Sequence, residues 1–91
     1  MTTVAVRHRV ADFDTWAIGY KEHGAVRDRL GCTGGQVLRD VQDPNEVLVL
    51  THWPSAEHAK KFATDPSLPE VMKKAGVVSE PRIEFYDEAA V

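Results

Sequence analysis

The chain carries four histidines, His8, His23, His52 and His58, the side chains best suited to move protons near neutral pH. His8 interrupts an alternation of Val4, Val6 and Val10, so a strand placed here buries its imidazole against helices or a second subunit. A neutral imidazole so placed is a usable general base. A core histidine hydrogen-bonded to a neighbour would occupy the same position. His23 and Arg27 stand four apart in a stretch of helical pattern and can point at one volume. Arg27 there can hold an anionic or enolate oxygen while a histidine moves the proton. The structural alternative lays its stem along the core and its head in water.

The aromatic side chains are the second candidate set. Trp16, Tyr20, Phe62 and Phe85 can line a pocket for an aromatic ligand, with the Tyr20 hydroxyl as a polar handle. Core packing would ask for the same residues. His52 shares strand parity with Leu48 and Leu50 and is expected at the cavity or its rim, while Trp53 lies on the other face. His58 is expected in solvent. No histidine spacing matches a metal-ligand motif, so no metal is expected. "GCTGG" precedes a strand rather than a helix and makes no phosphate loop.

The elements that must position these residues read clearly. "TVAVRHRV" is strand one. "ADFDTWAIGYKEHGAVRDRLG" reads as one helix, capped at Asp12 or Asp14 and stopped by Gly31, with Phe13, Trp16, Ala17, Tyr20 and Gly24 in its inward stripe. "QVLRDV" and "EVLVLTHW" are strands joined by "QDPN". Ser55 caps a short helix to about Thr64 with Ala59, Phe62 and Ala63 inward. Leu68, Val71, Met72 and Ala75 mark a further helix ended by Gly76, and "PRIEFY" is the last strand.

This order, β-α-β-β-α(α)-β, predicts an α+β, ferredoxin-like protomer with a four-stranded antiparallel sheet, one domain over 1–91. Its helices cover one sheet face only. Yet Val47, Leu48, Val49 and Leu50 are apolar on both parities, so the bare face needs a cover. A second copy of the chain is the economical one, giving a homodimer.

Composition bounds the function. The 91 residues hold 43% hydrophobic and 27% charged side chains with a formal net charge of −3. Basic residues interleave with acids, as in Arg27-Asp28-Arg29, so no nucleic-acid partner is expected. No apolar run reaches membrane-spanning length, the start has arginines where a signal peptide has its apolar core, and the lone Cys32 makes no internal disulfide. A cytoplasmic location is expected.

The stretches "VRHRVADFDTW", "EHGAVRDRLGCTGG", "DPNEVLVLTHWPSAEHAKKFATDPSL" and "AGVVSEPRIEFY" together resemble the dimeric α/β-barrel superfamily. Within it, the chain is most similar to small proteins of the antibiotic-biosynthesis-monooxygenase type, some of them labelled cyclases. The resemblance implies a dimeric α/β barrel and no cofactor. It also implies a small enzyme that oxygenates or cyclises an aromatic or polyketide-like molecule; His8 and His23 are the candidates for proton abstraction and Arg27 for holding the anion. The alternative is a non-catalytic dimeric module binding a hydrophobic or aromatic small molecule. Two departures stand out. Phe62 and Met72 fall where haem-degrading members carry tryptophan and histidine, which disfavours haem degradation. His52 stands where many monooxygenase-type members have an acid, and Phe62 lies near the position of a helical histidine.

Overall fold

Thr2, Val4, Val6 and His8 point to one side of the first strand, and the helices cover that side. The computed structural model describes residues 1–91. Strand β1 (Thr2–Arg9) leads into helices α1 (Phe13–Glu22) and α2 (Gly24–Arg29). Strands β2 (Gly34–Arg39) and β3 (Glu46–Trp53) follow, then α3 (Ala56–Ala63), α4 (Ser67–Lys74) and β4 (Arg82–Asp87). The strands run in the order β2-β3-β1-β4, every pair antiparallel. This is the expected ferredoxin-like α+β arrangement. No helix is long and apolar enough to cross a membrane.

The local signals act as their chemistry requires. The Asp12 carboxylate accepts the Thr15 N–H at 2.9 Å and caps α1. Ser55 caps α3 by accepting the His58 N–H. Pro44 sits second in a turn closed by the Glu46 N–H on the Asp43 carbonyl, 3.0 Å. Gly31 and Gly76 take left-handed backbone, with φ of 101° and 86°, at two helix ends.

One expectation needs correction. The single helix read over 11–31 breaks at His23, which ends α1 and starts α2. Its carbonyl accepts from both Val26 and Arg27 N–H groups, at 3.1 and 3.3 Å, and so starts the second helix. Gly24 next to it weakens helical continuity, and a Cβ there would stand 3.4 Å from the Arg27 guanidinium.

Register decides which strand faces meet the helices. His8 pairs with Val47, Val6 with Val49, Val4 with Thr51 and Thr2 with Trp53, so all eight share one face. Trp53 anchors that face. It is fully buried, stacks on Phe62 at 4.8 Å between ring centroids and donates its indole N–H to Thr51 Oγ1 at 2.9 Å. Truncating such a residue to alanine typically costs about 3–5 kcal/mol. The opposite face carries Leu48 and Leu50 of β3 beside Leu38 of β2 and Ala5 of β1. No helix packs there, and Leu38 is 44% exposed.

Against the core, α1 and α4 approach closely. A Cβ added at Gly19 would lie 2.8 Å from the Ala75 Cβ, inside any real contact. Only glycine lets the two helices meet at this distance.

Candidate functional site

A cavity lies between the helices and the covered sheet face. His8 and Val6 of β1 and Val49 and Thr51 of β3 form its floor. Trp16, Tyr20, His23 and Arg27 close one side, Phe62 and the α4 residues Leu68, Val71 and Met72 the other. The cavity volume is about 50 Å³. That is room for water-sized guests, well below the roughly 300–1,000 Å³ of pockets that hold drug-sized ligands. A larger groove of about 380 Å³ lies beyond Leu68 and Met72, which line both spaces.

His8 is 3% exposed, and neither imidazole nitrogen has a hydrogen-bond partner. This is costly, since buried polar atoms are nearly always paired. Its ring centroid stands 5.7 Å from that of Trp16. Burial pushes its pKa below the ordinary histidine value, and Glu46 opposes this in part. His8 is therefore a neutral imidazole, with one N–H donor and one lone pair, unsatisfied at the wall of a cavity.

Arg27 is the second notable group, a buried cation without a counter-ion. It is 9% exposed and forms no ion pair. Its Nη2 donates to the Tyr20 carbonyl at 2.8 Å, and its guanidinium carbon lies 3.8 Å from the Tyr20 ring centroid. Tyr20 in turn stacks on Trp16, 5.2 Å between centroids. The column Trp16-Tyr20-Arg27 delivers a positive charge into an apolar cavity without an anion beside it.

His23 also faces this cavity, buried, with Nε2 2.8 Å from Ser67 Oγ. Burial lowers its pKa first, the Arg27 charge lowers it further, and Asp65 raises it. The arrangement can take a proton on a neutral imidazole and hold the resulting anion on a guanidinium.

The structure thus brings together His8, His23, Arg27, Trp16, Tyr20 and Phe62. It does not bring in His52 or Phe85. His52 pairs with Thr3 and Gly34 on the sheet face away from the helices, its Nδ1 3.0 Å from Thr3 Oγ1. The helices took the parity of Trp53, and His52 has the other. Phe85 pairs with Val4 on the helix side, but β4 is the edge strand and its ring is 43% exposed, clear of the cavity. The sheet therefore separates His52 from His8 and His23. His58 bonds to Ser55 Oγ at 2.7 Å on the outer side of α3. Ser67 and Asp65, which hold His23, went unnoticed in the sequence. "DPS" reads there only as a break between helices, and Ser67 lies 44 residues from His23.

No protein-family model matches the sequence, and no curated protein matches it. Solved structures do match. One described as an antibiotic biosynthesis monooxygenase is 15% identical, with a TM-score of 0.75 over 99% of this chain and 100% of its own. SnoaB, a cofactor-independent oxygenase from Streptomyces nogalater, is 13% identical, with a TM-score of 0.79 over 99% of this chain and 94% of its own. A conserved protein from Methanosarcina mazei Go1 is 14% identical, with a TM-score of 0.67 over 97% of this chain and 92% of its own. At such identities the likeness is one of architecture: along almost its whole length, this chain has the fold of the antibiotic-biosynthesis-monooxygenase structures.

Proposed function

We propose that this chain is a small enzyme acting on an acidic aromatic or polyketide-like molecule, with His8 as proton acceptor and Arg27 as the holder of the anion. The observation that carries this reading is one cavity holding a buried imidazole without hydrogen-bond partners and a buried guanidinium without a counter-ion. His8 costs desolvation with no hydrogen bond in return, and the Arg27 charge is left without an opposite charge. A ligand with an acidic C–H or phenol offers partners to both. The substrate's C–H or O–H bond breaks, the proton goes to His8, and the electron pair stays on the substrate beside Arg27. The electron-rich anion then reacts with dioxygen or, folded near its own carbonyl, closes a ring. The cofactor-independent oxygenase among the fold relatives supports the first course.

The cavity volume of about 50 Å³ sets a condition. A polyketide-sized molecule enters only where Leu68 and Met72 move aside and join the cavity to the outer groove. The same small volume favours the second reading, a binding module without turnover that seats only the acidic end of its ligand. A second copy of the chain, packed on Leu38, Leu48 and Leu50, completes the proposed molecule as a homodimer.

A thermal-shift series tests the reading. Anthrones, flavonoids and other acidic aromatics are compared with their neutral methyl ethers. A ligand at 100 times its dissociation constant stabilises by about 2.7 kcal/mol. Stabilisation by the acidic members, followed by turnover under air, supports the enzyme. Stabilisation without turnover leaves the binding module. Equal response to acids and ethers overturns the role given to Arg27 and His8.

A further inference from the structure

A chain of three polar side chains runs from the cavity toward the surface. His23 Nε2 lies 2.8 Å from Ser67 Oγ, and Ser67 Oγ bonds to the Asp65 carboxylate. Asp65 is ionised: the Ser67 hydroxyl and backbone N–H hold its carboxyl below the ordinary carboxylate range. An ionised carboxylate only accepts, so the Ser67 proton belongs to Asp65. The Ser67 oxygen then meets His23 as an acceptor, and His23 Nε2 must carry the ring's N–H. A neutral imidazole has one such N–H, so Nδ1 keeps its lone pair. That lone pair is not spent on the backbone, because His23 starts α2 without a side-chain cap bond.

We propose that Ser67 and Asp65 are positioning residues that fix His23 as the Nε2–H tautomer and leave Nδ1 as a second proton acceptor of the cavity. The catalytic use of this acceptor rests on the proton-abstraction reading above; the tautomer itself does not. When Nδ1 takes a proton, the substrate bond to hydrogen breaks and its electron pair remains on the anion. The imidazolium keeps its Nε2–H on Ser67, with the Asp65 charge one bond beyond. Two charged groups act on this ring directly. Arg27 from α2 opposes the imidazolium, and Asp65 between α3 and α4 favours it. Arg29 acts on Asp65, and His8 faces the same cavity from β1. Two proton acceptors in one cavity would let the site remove a proton with one and return or relay it with the other.

Nitrogen-15 correlation NMR of the histidine rings tests this on the whole protein, without a substrate. At about pH 8, above the ordinary histidine range, His23 is expected with a protonated Nε2 and a bare Nδ1. Ser67→Ala is expected to mix the tautomers and lower the ring's basicity about tenfold, one pKa unit. Ser67→Thr restores both, because it returns the hydroxyl. Asp65→Asn keeps an acceptor oxygen, so the tautomer stays while the basicity falls. A protonated Nδ1 in the wild-type protein overturns the proposal, even if Ser67→Ala does not fold. So does a folded Ser67→Ala protein with unchanged tautomer and basicity. Should the tautomer stand while acidic aromatics neither bind nor turn over, the enzyme reading fails alone.

Discussion

The guanidinium carbon of Arg27 lies 3.8 Å from the centre of the Tyr20 ring, and no carboxylate neutralises it. The stack fixes where a positive charge enters the cavity, and His23 feels it. Replacing Arg27 with Met keeps the stem and removes the charge. Acidic ligands are expected to bind at least tenfold more weakly, as loss of one charged hydrogen bond implies, about 1.5–3 kcal/mol. The same change relieves a positive neighbour of His23, so its pKa rises. Calorimetric titration and histidine NMR check the two effects on one sample. An unchanged affinity for acids would remove Arg27 from the site.

Replacing His8 with Gln keeps the approximate volume and removes the proton acceptor. Loss of a general base typically costs on the order of 10²–10⁴ in rate. His8 makes no hydrogen bond in the protein, so folding loses none, and stability should change by less than about 1 kcal/mol. Turnover of an anthrone-type substrate and the melting temperature are measured together. Full turnover in a protein that melts earlier would make His8 a packing residue only.

Acid should loosen the fold through the two cavity histidines. Both have folded-state pKa values lowered below the ordinary value of about 6.5, first by burial. Between that value and the lowered one, the unfolded chain binds more protons than the folded one. Stability therefore falls as pH drops through this window and levels off below the folded-state values. Urea unfolding across pH 4 to 8 reads the slope. His8→Gln flattens it in part; an identical slope in the variant would show that His8 is not the titrating group.

The uncovered sheet face makes its own prediction. Leu50 lies between Ala5 and Gln36 on that face, away from every helix. Light scattering on the wild-type protein at micromolar concentration is expected to report a dimer. Leu50→Asp puts an unpaired charge on the joining face and is expected to give a folded monomer with unchanged circular dichroism. A wild-type monomer would end the dimer reading.

The strands and their order were legible because alternation and turn chemistry agreed along the whole chain. The burial of His8 was legible too, since it shares parity with three valines, and so was the pairing of His23 with Arg27, one helical turn apart. Parity alone does not say which side of β3 the helices choose, and that misplaced His52. Trp53 held the answer, because its large indole goes where burial is deepest. The break at His23 left no mark in the apolar spacing, which runs on to Arg27. Ser67 and Asp65 could not be found by any local pattern. Their link to His23 spans two helices and two strands of chain and exists only once α4 has docked.

Gly19 and Ala75 carry no polar side chain, yet their contact bears on the space inside the molecule, and Ala75 itself lines the cavity. Their contact sets how far α4 stands from α1, and α4 carries Leu68 and Met72, the partition between cavity and groove. A single methyl at position 19 would act as a shim, pushing that partition outward at one end. The volume of the enclosure is thus set partly by a spacer between two helices, where changes can retune it while leaving every polar group of the cavity in place.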